Sequence, residues 1–288
     1  MSPLQEIQEM ESLVADINAI LRDNGLPRQI TMLDVTITKK SVSDIVQNPP
    51  NLSNAIIDAI WPSVSDVTVY HYTQRGFAES ILNSNTFRFT TLKKRIREDE
   101  IKTFCVSHGL DGYLSLDNTE KPVYAGLAED LYYASFTDAD IEPSREEEMW
   151  TRFAQCDGVR LKIDVTAKNP DFRKIKYENS LGEPIRLLSE LSSVVRTKYR
   201  REFMLKGVSR LAAFYLPSDK YGAEGEIRAL YKVFEGYGPQ PKRSGEWSYI
   251  DIPLNIMSPC GYKLEVTEVH ARVRPDMPDG YAFSVRGA

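Results

Sequence analysis

The sequence has few cysteines and histidines and no long apolar run, and each shortage excludes a class of protein. Its three cysteines, Cys105, Cys156 and Cys260, lie far apart and form no C-x-x-C pair, so we expect neither a disulfide framework nor a zinc knuckle. The three histidines lack metal-ligand spacing, which argues against a metal site. No apolar stretch reaches membrane-spanning length, and the first nine residues carry acids where a signal peptide carries basic residues. These shortages predict a cytoplasmic protein with reduced thiols.

The motifs of several common enzyme folds are missing as well. No G-x-S-x-G, G-x-x-x-x-G-K or G-x-G-x-x-G pattern occurs in the 288 residues, which excludes the usual signatures of hydrolases, P-loop proteins and Rossmann folds. The net charge is −5, so the chain lacks the overall basic field of an avid nucleic-acid binder. A hydrophobic content of 42% is ordinary for a globular protein and allows a sizeable core.

Strands and helices follow one another without regular βαβ alternation, which favours an α+β fold over a doubly wound parallel sheet. The chain is organised around a predicted strand over 67–72, a helix over 74–83 and a second short strand over 86–90. Apolar residues from Leu4 to Leu21 recur at helical spacing, and a long helix is predicted from Glu183 to Lys206. We divide the chain into a helical N-terminal region, residues 1–62, and a main domain, residues 63–288.

Three predicted strands carry polar side chains among apolar or aromatic neighbours. These are His71, Ser135 with Thr137, and Glu226 with Glu224 two residues before it. Each also has a structural explanation. A histidine in a strand is often a structural residue with satisfied hydrogen bonds, and alternating Ser and Thr side chains can face solvent. Likewise, Glu226 and Arg228 share a strand face and can form a surface pair worth about 0–1 kcal/mol.

The order of these motifs resembles a widespread bacterial domain family of unknown function. The chain has His-Tyr-Thr at 71–73, Ser-Phe-Thr at 135–137, Met-Trp at 149–150 and Glu-x-Glu-x-Arg at 224–228. Members of that family show His-Tyr-Thr, Ser-Phe-Ser, Trp-x-x-Tyr and Glu-x-Glu-Trp-Arg in the same order. The resemblance covers roughly residues 67–273, with Ile227 and Phe153 departing from the pattern. The family in turn is similar to the ADP-ribosyltransferase superfamily, which includes toxins and phage-defence enzymes.

The resemblance implies a split β-sheet core with flanking helices and NAD as a substrate. It assigns Glu226 and His71 to catalysis and Glu224 to positioning of the acceptor. Contacts with NAD are implied for a set of strand residues: His71, Tyr72, Thr73, Tyr133, Ser135, Phe136, Thr137 and Arg228. Cleavage of the ribose–nicotinamide bond develops positive charge on the ribose, as in glycoside cleavage, and a fixed carboxylate stabilises that charge.

The resemblance therefore predicts transfer of ADP-ribose from NAD to a protein or nucleic acid, by an intracellular toxin or phage-defence effector. An antitoxin or regulatory protein would bind through the N-terminal helix, and no membrane partner is expected. One alternative is a non-catalytic nucleotide-binding or interaction module that docks a partner through that helix and the basic cluster at Arg196–Arg201. A weaker alternative is an NAD glycohydrolase, which would release free ADP-ribose as its only product.

Overall fold

The structure is a computed structural model that describes residues 3–27, 29–45, 51–92, 100–128, 130–155, 158–177, 184–216, 224–234, 236, 238–245 and 247–272. The basic block at 93–97, Cys156 and the Pro- and Gly-rich tail from residue 275 lie outside the described residues. Helices and strands are mixed along the chain and the main sheet is largely antiparallel, so the fold is α+β.

The bounds of the elements follow the sequence predictions closely in most places. The helices are α1 (Pro3–Asp23), α2 (Leu52–Ile60), α3 (Arg75–Ser84), α4 (Glu100–Ser107), α5 (Pro143–Met149), α6 (Arg186–Thr197) and α7 (Val208–Ala212). The strands are β1 (Val35–Ile37), β2 (Ser41–Asp44), β3 (Asp66–Thr73), β4 (Thr86–Thr91), β5 (Leu131–Asp138), β6 (Val159–Ala167), β7 (Phe172–Lys174), β8 (Lys176–Tyr177), β9 (Glu202–Met204), β10 (Tyr215–Leu216), β11 (Glu226–Lys232), β12 (Lys242–Ser244), β13 (Trp247–Pro253) and β14 (Tyr262–Ala271). The predicted central strand–helix–strand unit is confirmed as β3, α3 and β4.

The chain forms two compact units, each built from separate segments. The first contains Met1–Ser63, Thr91–Leu131 and Ile175–Gly222, and the second contains Val64–Thr90, Tyr132–Lys174 and Ala223–Ala288. The boundary that we placed near residue 62 is thus one of several points where the chain passes from one unit to the other. In the described part of the chain, no helix has the length and apolar character needed to cross a membrane.

In the first unit, α1 packs against α6 and buries Leu13, Ile17 and Leu21 completely. The predicted helix from Glu183 to Lys206 is too long, because α6 ends at Thr197 and the chain returns as β9. Arg200 adopts a left-handed backbone with φ of 53°, and the amide of Arg201 donates to the carbonyl of Val195, a closure typical of helix C-termini. Apolar residues continue at helical spacing beyond Thr197, so the periodicity of the sequence did not indicate where α6 ends.

The second unit is a nine-stranded sheet with the order β12-β13-β4-β5-β3-β6-β14, while β11 pairs with both β5 and β7. Its core lies on one face, where Val69, Phe87, Phe136 and Ile227 are among the buried side chains. Strand β5 has three neighbours, β4, β3 and β11; since a strand has only two edges, two of them share one edge. The β3–β5 pairing covers only Val69↔Asp138 and Tyr70↔Thr137, so these strands diverge beyond Tyr70.

Candidate functional site

The candidate residues divide between the two faces of the second unit's sheet. Successive side chains of a strand point to opposite faces, and Ala134 and Phe136 of β5 belong to the core face. The other face of β5 therefore carries Tyr133, Ser135 and Thr137. The same alternation on β11 sends Ile227 and Ala229 into the core and leaves Glu226 and Arg228 on the face of Ser135. Four of the five predicted NAD contacts on β5 and β11, with the predicted catalytic glutamate, thus share one face.

Glu226 is the centre of the hydrogen bonds on this face, which we call the carboxylate face. The hydroxyl of Ser135 donates to Oε1 of Glu226. One edge of the Arg228 guanidinium holds the same carboxylate at two points. Nε donates to Oε1 at 2.9 Å and Nη2 donates to Oε2 at 3.2 Å. Glu226 is 3% exposed and Arg228 is 0% exposed, so this is a buried pair rather than the surface pair considered from sequence. A buried carboxylate held in this way has a fixed position and orientation.

A second buried arginine, Arg173 of β7, was not predicted. It lies directly opposite Arg228 in the antiparallel β7–β11 pairing, and side chains of opposed residues share a face. Its Nε lies 3.5 Å from Oδ1 of Asp171, and the guanidinium of Arg228 lies 4.9 Å from the ring centre of Tyr133. The burial of Arg173 could not be predicted from the sequence, because an arginine in an alternating strand usually faces solvent. The carboxylate face therefore presents two adjacent guanidinium groups beside Glu226.

His71 reaches β5 from the opposite side of the sheet. It alternates with Val69, a core residue, and its ring makes edge contacts with Phe87 and Phe136 at centroid distances of 4.9 and 6.2 Å. The carbonyl oxygen of Ser135 lies 3.3 Å from Nδ1 of His71. A carbonyl only accepts hydrogen bonds, so Nδ1 carries the proton and, in a neutral ring, Nε2 is left as an acceptor.

The protonation state of His71 follows from its surroundings. Burial lowers the pKa of the His71 imidazole to about 4, against the opposing effect of the Ser135 carbonyl. The ring is therefore neutral at physiological pH. His71 and Glu226 are joined through one residue, because Ser135 accepts from the first with its backbone and donates to the second with its hydroxyl. Thr73 and Phe136 lie on the core side with His71, away from the carboxylate face.

Glu224, the predicted acceptor-positioning residue, is held by an arginine that the sequence did not single out. Nη2 of Arg152 lies 3.1 Å from Oε1 of Glu224. Arg152 belongs to a π-helical turn (Trp150–Ala154) that follows α5 directly, and such turns are frequent at functional sites. The turn ends at Gln155, a non-glycine residue with φ of 58°, and a side chain at Gly158 would collide with the Ala154 carbonyl. The chain is therefore closely packed where it supports Glu224.

Tyr72 contacts this helical segment on the carboxylate-face side of β3. Its ring makes an edge contact with Trp150 at 5.3 Å, and Glu146 accepts from both Trp150 and Arg160. Burial raises the pKa of the Tyr72 hydroxyl to about 12, so the group stays protonated. Trp150 belongs to a small apolar cluster with Tyr72 and Met149. These contacts give Tyr72 and Trp150 a packing role.

The described residues contain no group of three or more His, Cys, Asp or Glu side chains that could hold a metal ion. Cys105 and Cys260 are buried, and burial raises the pKa of both thiols to about 12. Neither is therefore a reactive thiolate at neutral pH. Among the described residues, the chemistry of the carboxylate face is that of the Glu226 carboxylate, the hydroxyls of β5 and the guanidinium groups of Arg173 and Arg228.

Comparison with known proteins yields no relative from which a function could be transferred. The chain matches no protein-family model, no curated protein and no solved structure. Any assignment of function therefore depends on the residues and geometry described above.

Proposed function

We propose that this chain transfers ADP-ribose from NAD to a macromolecular acceptor and that Glu226 is its catalytic carboxylate. The observation that carries the proposal is the double role of Ser135, which is bonded to His71 through its backbone and to Glu226 through its hydroxyl. Three residues separated by 64 and 91 positions in the chain thereby form one connected group. Each belongs to a different motif of the resemblance.

The available groups suit the cleavage of the ribose–nicotinamide bond. That bond breaks with its electron pair leaving on nicotinamide, so positive charge develops at the ribose carbon. The Glu226 carboxylate can accept a hydrogen bond from a ribose hydroxyl and stabilise this charge. Arg228 holds the Glu226 carboxylate at two points and so fixes its orientation for this contact.

The second half of the reaction needs a base rather than a nucleophile from the protein. The acceptor supplies the atom that bonds to the ribose carbon, and it must lose a proton as the bond forms. Glu224 lies two residues before Glu226 and its carboxylate is held by Arg152, so it is our candidate to take that proton. By the resemblance, His71 would bind a hydroxyl of the substrate ribose or adenosine through Nε2; because its ring lies on the core side of β3, the substrate would reach it where β3 and β5 diverge.

The sheet also supports a split-core fold of the ADP-ribosyltransferase type. Strands β3 and β5 pair at only two positions, while β3 continues beside β6 as far as Thr73. The divergence begins next to His71, so a substrate entering there would meet both strands. By the resemblance, the biological role would be that of an intracellular toxin or phage-defence effector.

Incubation of the purified full chain with labelled NAD in a cell extract tests the proposal. We expect label on protein or nucleic acid with the wild type and none with Glu226→Gln. Glu268→Gln is the matched control, because Glu268 is an exposed glutamate of the same sheet, paired with Lys162, and it should transfer normally. Glu224→Gln should release nicotinamide while losing transfer. If Glu226→Gln labels the same acceptors as fast as the wild type, the proposal is wrong.

Burial of the Glu226–Arg228 pair favours a second candidate, a nucleotide-binding module without turnover. In that case the pair would serve stability alone, and Glu226→Gln would change folding but no reaction. Docking of a partner through the basic cluster receives no support: Arg196, Lys198 and Arg201 pair with Asp111, Asp16 and Glu9 of their own unit. Free ADP-ribose as the only product of the wild type would instead identify an NAD glycohydrolase.

A further inference from the structure

Three neighbouring strands of the second unit expose side chains that the proposed reaction does not use, on the side of the sheet opposite the core. The register places Arg88 of β4 opposite Asp251 of β13, and Lys242 of β12 opposite Tyr249 of β13. Opposed residues share a face, and alternation along β13 adds Trp247. We call these five residues the outer sheet face.

The opposite side of the same strands belongs to the core. Ile250 and Ile252 alternate with the outer residues of β13 and are buried, as are Phe87 and Phe89 on β4. The outer side chains are exposed: Trp247 is 44% exposed, and the side chains of Arg88 and Lys242 are 54% and 63% exposed. The outer sheet face is thus an accessible surface on a rigid support.

Cationic and aromatic groups are interleaved on the outer sheet face. The guanidinium of Arg88 lies 3.8 Å from the ring centre of Tyr249, which is a stacked cation–π arrangement. Asp251 lies between the two cations, 3.4 Å from Arg88 Nε and 3.0 Å from Lys242 Nζ. Among the described residues on this face, two cations and one anion leave a net positive charge, although the whole chain carries −5.

We propose that the outer sheet face binds single-stranded nucleic acid, with bases stacking on Trp247 and Tyr249 and phosphates contacting Arg88 and Lys242. Aromatic side chains on a sheet, flanked by cations, are the means by which proteins hold unpaired bases. The negative backbone complements the local positive charge of a chain that is acidic overall.

The spacing of the two rings favours a single strand over a duplex. Trp247 and Tyr249 are two residues apart on one strand, or about 7 Å. In a stacked duplex, successive nucleotides of one strand are about 3.4 Å apart along the axis. Two neighbouring bases that stack on these two rings must therefore separate from each other. Duplex bases are stacked and cannot present their faces. An acidic peptide would use the two cations and leave both rings without a function.

Binding to the outer sheet face does not depend on NAD chemistry. The further statement that the bound strand is the acceptor of ADP-ribose rests on the proposed function. The two can fail separately, because Glu226→Gln should bind the strand as the wild type does while losing transfer.

Intrinsic tryptophan fluorescence provides a local probe of binding. The chain has three tryptophans, and Trp61 and Trp150 are buried, so a bound base at the surface should quench Trp247 selectively. We would titrate the full-length protein with a twelve-nucleotide oligo(dT) and its RNA equivalent, with duplex DNA and poly-glutamate in parallel. With two phosphates neutralised, raising salt from 50 to 200 mM should weaken single-strand binding about sevenfold.

Two variants and one control decide the outcome. Trp247→Ala lacks the fluorescent reporter, so its affinity is read from the anisotropy of a fluorescein-labelled oligo(dT); it should bind about tenfold or more weakly, the loss of one stacked base. Arg88→Gln should weaken binding and reduce its salt dependence. Arg243→Gln is the matched control, since Arg243 is also exposed on β12 but opposes Ser248 on the other side of the sheet; quenching should persist. Absence of binding at 50 mM salt, equal binding of duplex or poly-glutamate, or unchanged affinity of Trp247→Ala would each overturn the proposal.

Discussion

Arg228 lies directly opposite Arg173 on the neighbouring antiparallel strand, and both side chains are buried. Two adjacent guanidinium groups repel each other, and an anion close to each one offsets this repulsion. Glu226 supplies a two-point partner for Arg228, and Asp171 lies beside Arg173. Glu226 therefore has a structural role in addition to the catalytic role that we propose, and the two must be separated by experiment.

Replacing Glu226 should destabilise the protein as well as inactivate it. In Glu226→Gln the amide keeps an acceptor for Ser135, but Arg228 loses its counter-charge in a buried position. Removing one partner of a buried ion pair typically costs about 3–5 kcal/mol, which denaturant unfolding would measure.

The double variant Glu226→Gln with Arg228→Met is the control for that loss. It removes both charges while keeping most of the side-chain volume, so its unfolding free energy should exceed the value expected from adding the two single losses. Simple additivity would show that the two side chains do not act as a pair. Activity should not return in the double variant, since the carboxylate is still absent.

His71→Asn should retain most of the stability and lose most of the activity. The asparagine amide can reproduce the donor at Nδ1 that reaches the Ser135 carbonyl, whereas it has no group at the position of Nε2. Unfolding curves and NAD turnover should therefore diverge for this variant. Normal turnover by His71→Asn would reduce His71 to a structural residue that satisfies a backbone carbonyl.

Much of the second unit could be predicted from its sequence, because its strands are strongly patterned. The β-branched and aromatic runs predicted strands over 67–72, 131–137 and 225–232, and each lies within one residue of the bounds of β3, β5 and β11. The division of faces was also available, since His71 alternates with Val67 and Val69. In contrast, the connection of His71 to Glu226 through Ser135 depends on pairing between distant strands, which periodicity does not encode.

The sequence predicted less well where a charged residue is buried or a helix ends without a signal. Arg173 lies between buried Phe172 and exposed Lys174, and its burial follows from the partners that long-range pairing brings to it. Arg200 ends the long predicted helix in a left-handed conformation that glycine or asparagine would normally announce.

Acid should destabilise the first unit through His108. This buried ring donates from Nδ1 to the Phe104 carbonyl at 2.7 Å and accepts at Nε2 from the Ile185 amide at 2.9 Å, so it fits only as a neutral group. Burial lowers its pKa to about 4, although the Phe104 carbonyl acts in the opposite direction. In the unfolded chain the pKa of the imidazole is about 6.5, so the unfolded state binds the proton first as pH falls.

Stability from this source is complete above about pH 6.5 and declines progressively toward pH 4. The loss should approach about 3 kcal/mol, measured by denaturant unfolding at several pH values. His71 contributes with the same sign, because burial also lowers its pKa to about 4. Comparison of the wild type with His108→Gln isolates the His108 part, and equal pH dependence of the two proteins would contradict this account.

The N-terminal helix should behave as part of the core of its own unit. Leu13 is completely buried on α1 whereas Leu4 is 66% exposed, so the two leucines form a matched pair on one helix. Leu13→Ala should cost about 2–5 kcal/mol of unfolding free energy and Leu4→Ala less than about 0.5 kcal/mol. Similar losses in both variants would contradict the packing of α1 described here.

The rate of nicotinamide release per folded molecule tests the central claim most directly. Labelled NAD would be incubated with purified wild type and Glu226→Gln in the presence of cell extract, under conditions where unfolding curves show both proteins to be folded. We predict a loss of at least about 10²-fold for the variant, the scale expected when a preorganised charge is removed from a transition state. Equal rates from the two folded proteins would show that Glu226 is not the catalytic carboxylate.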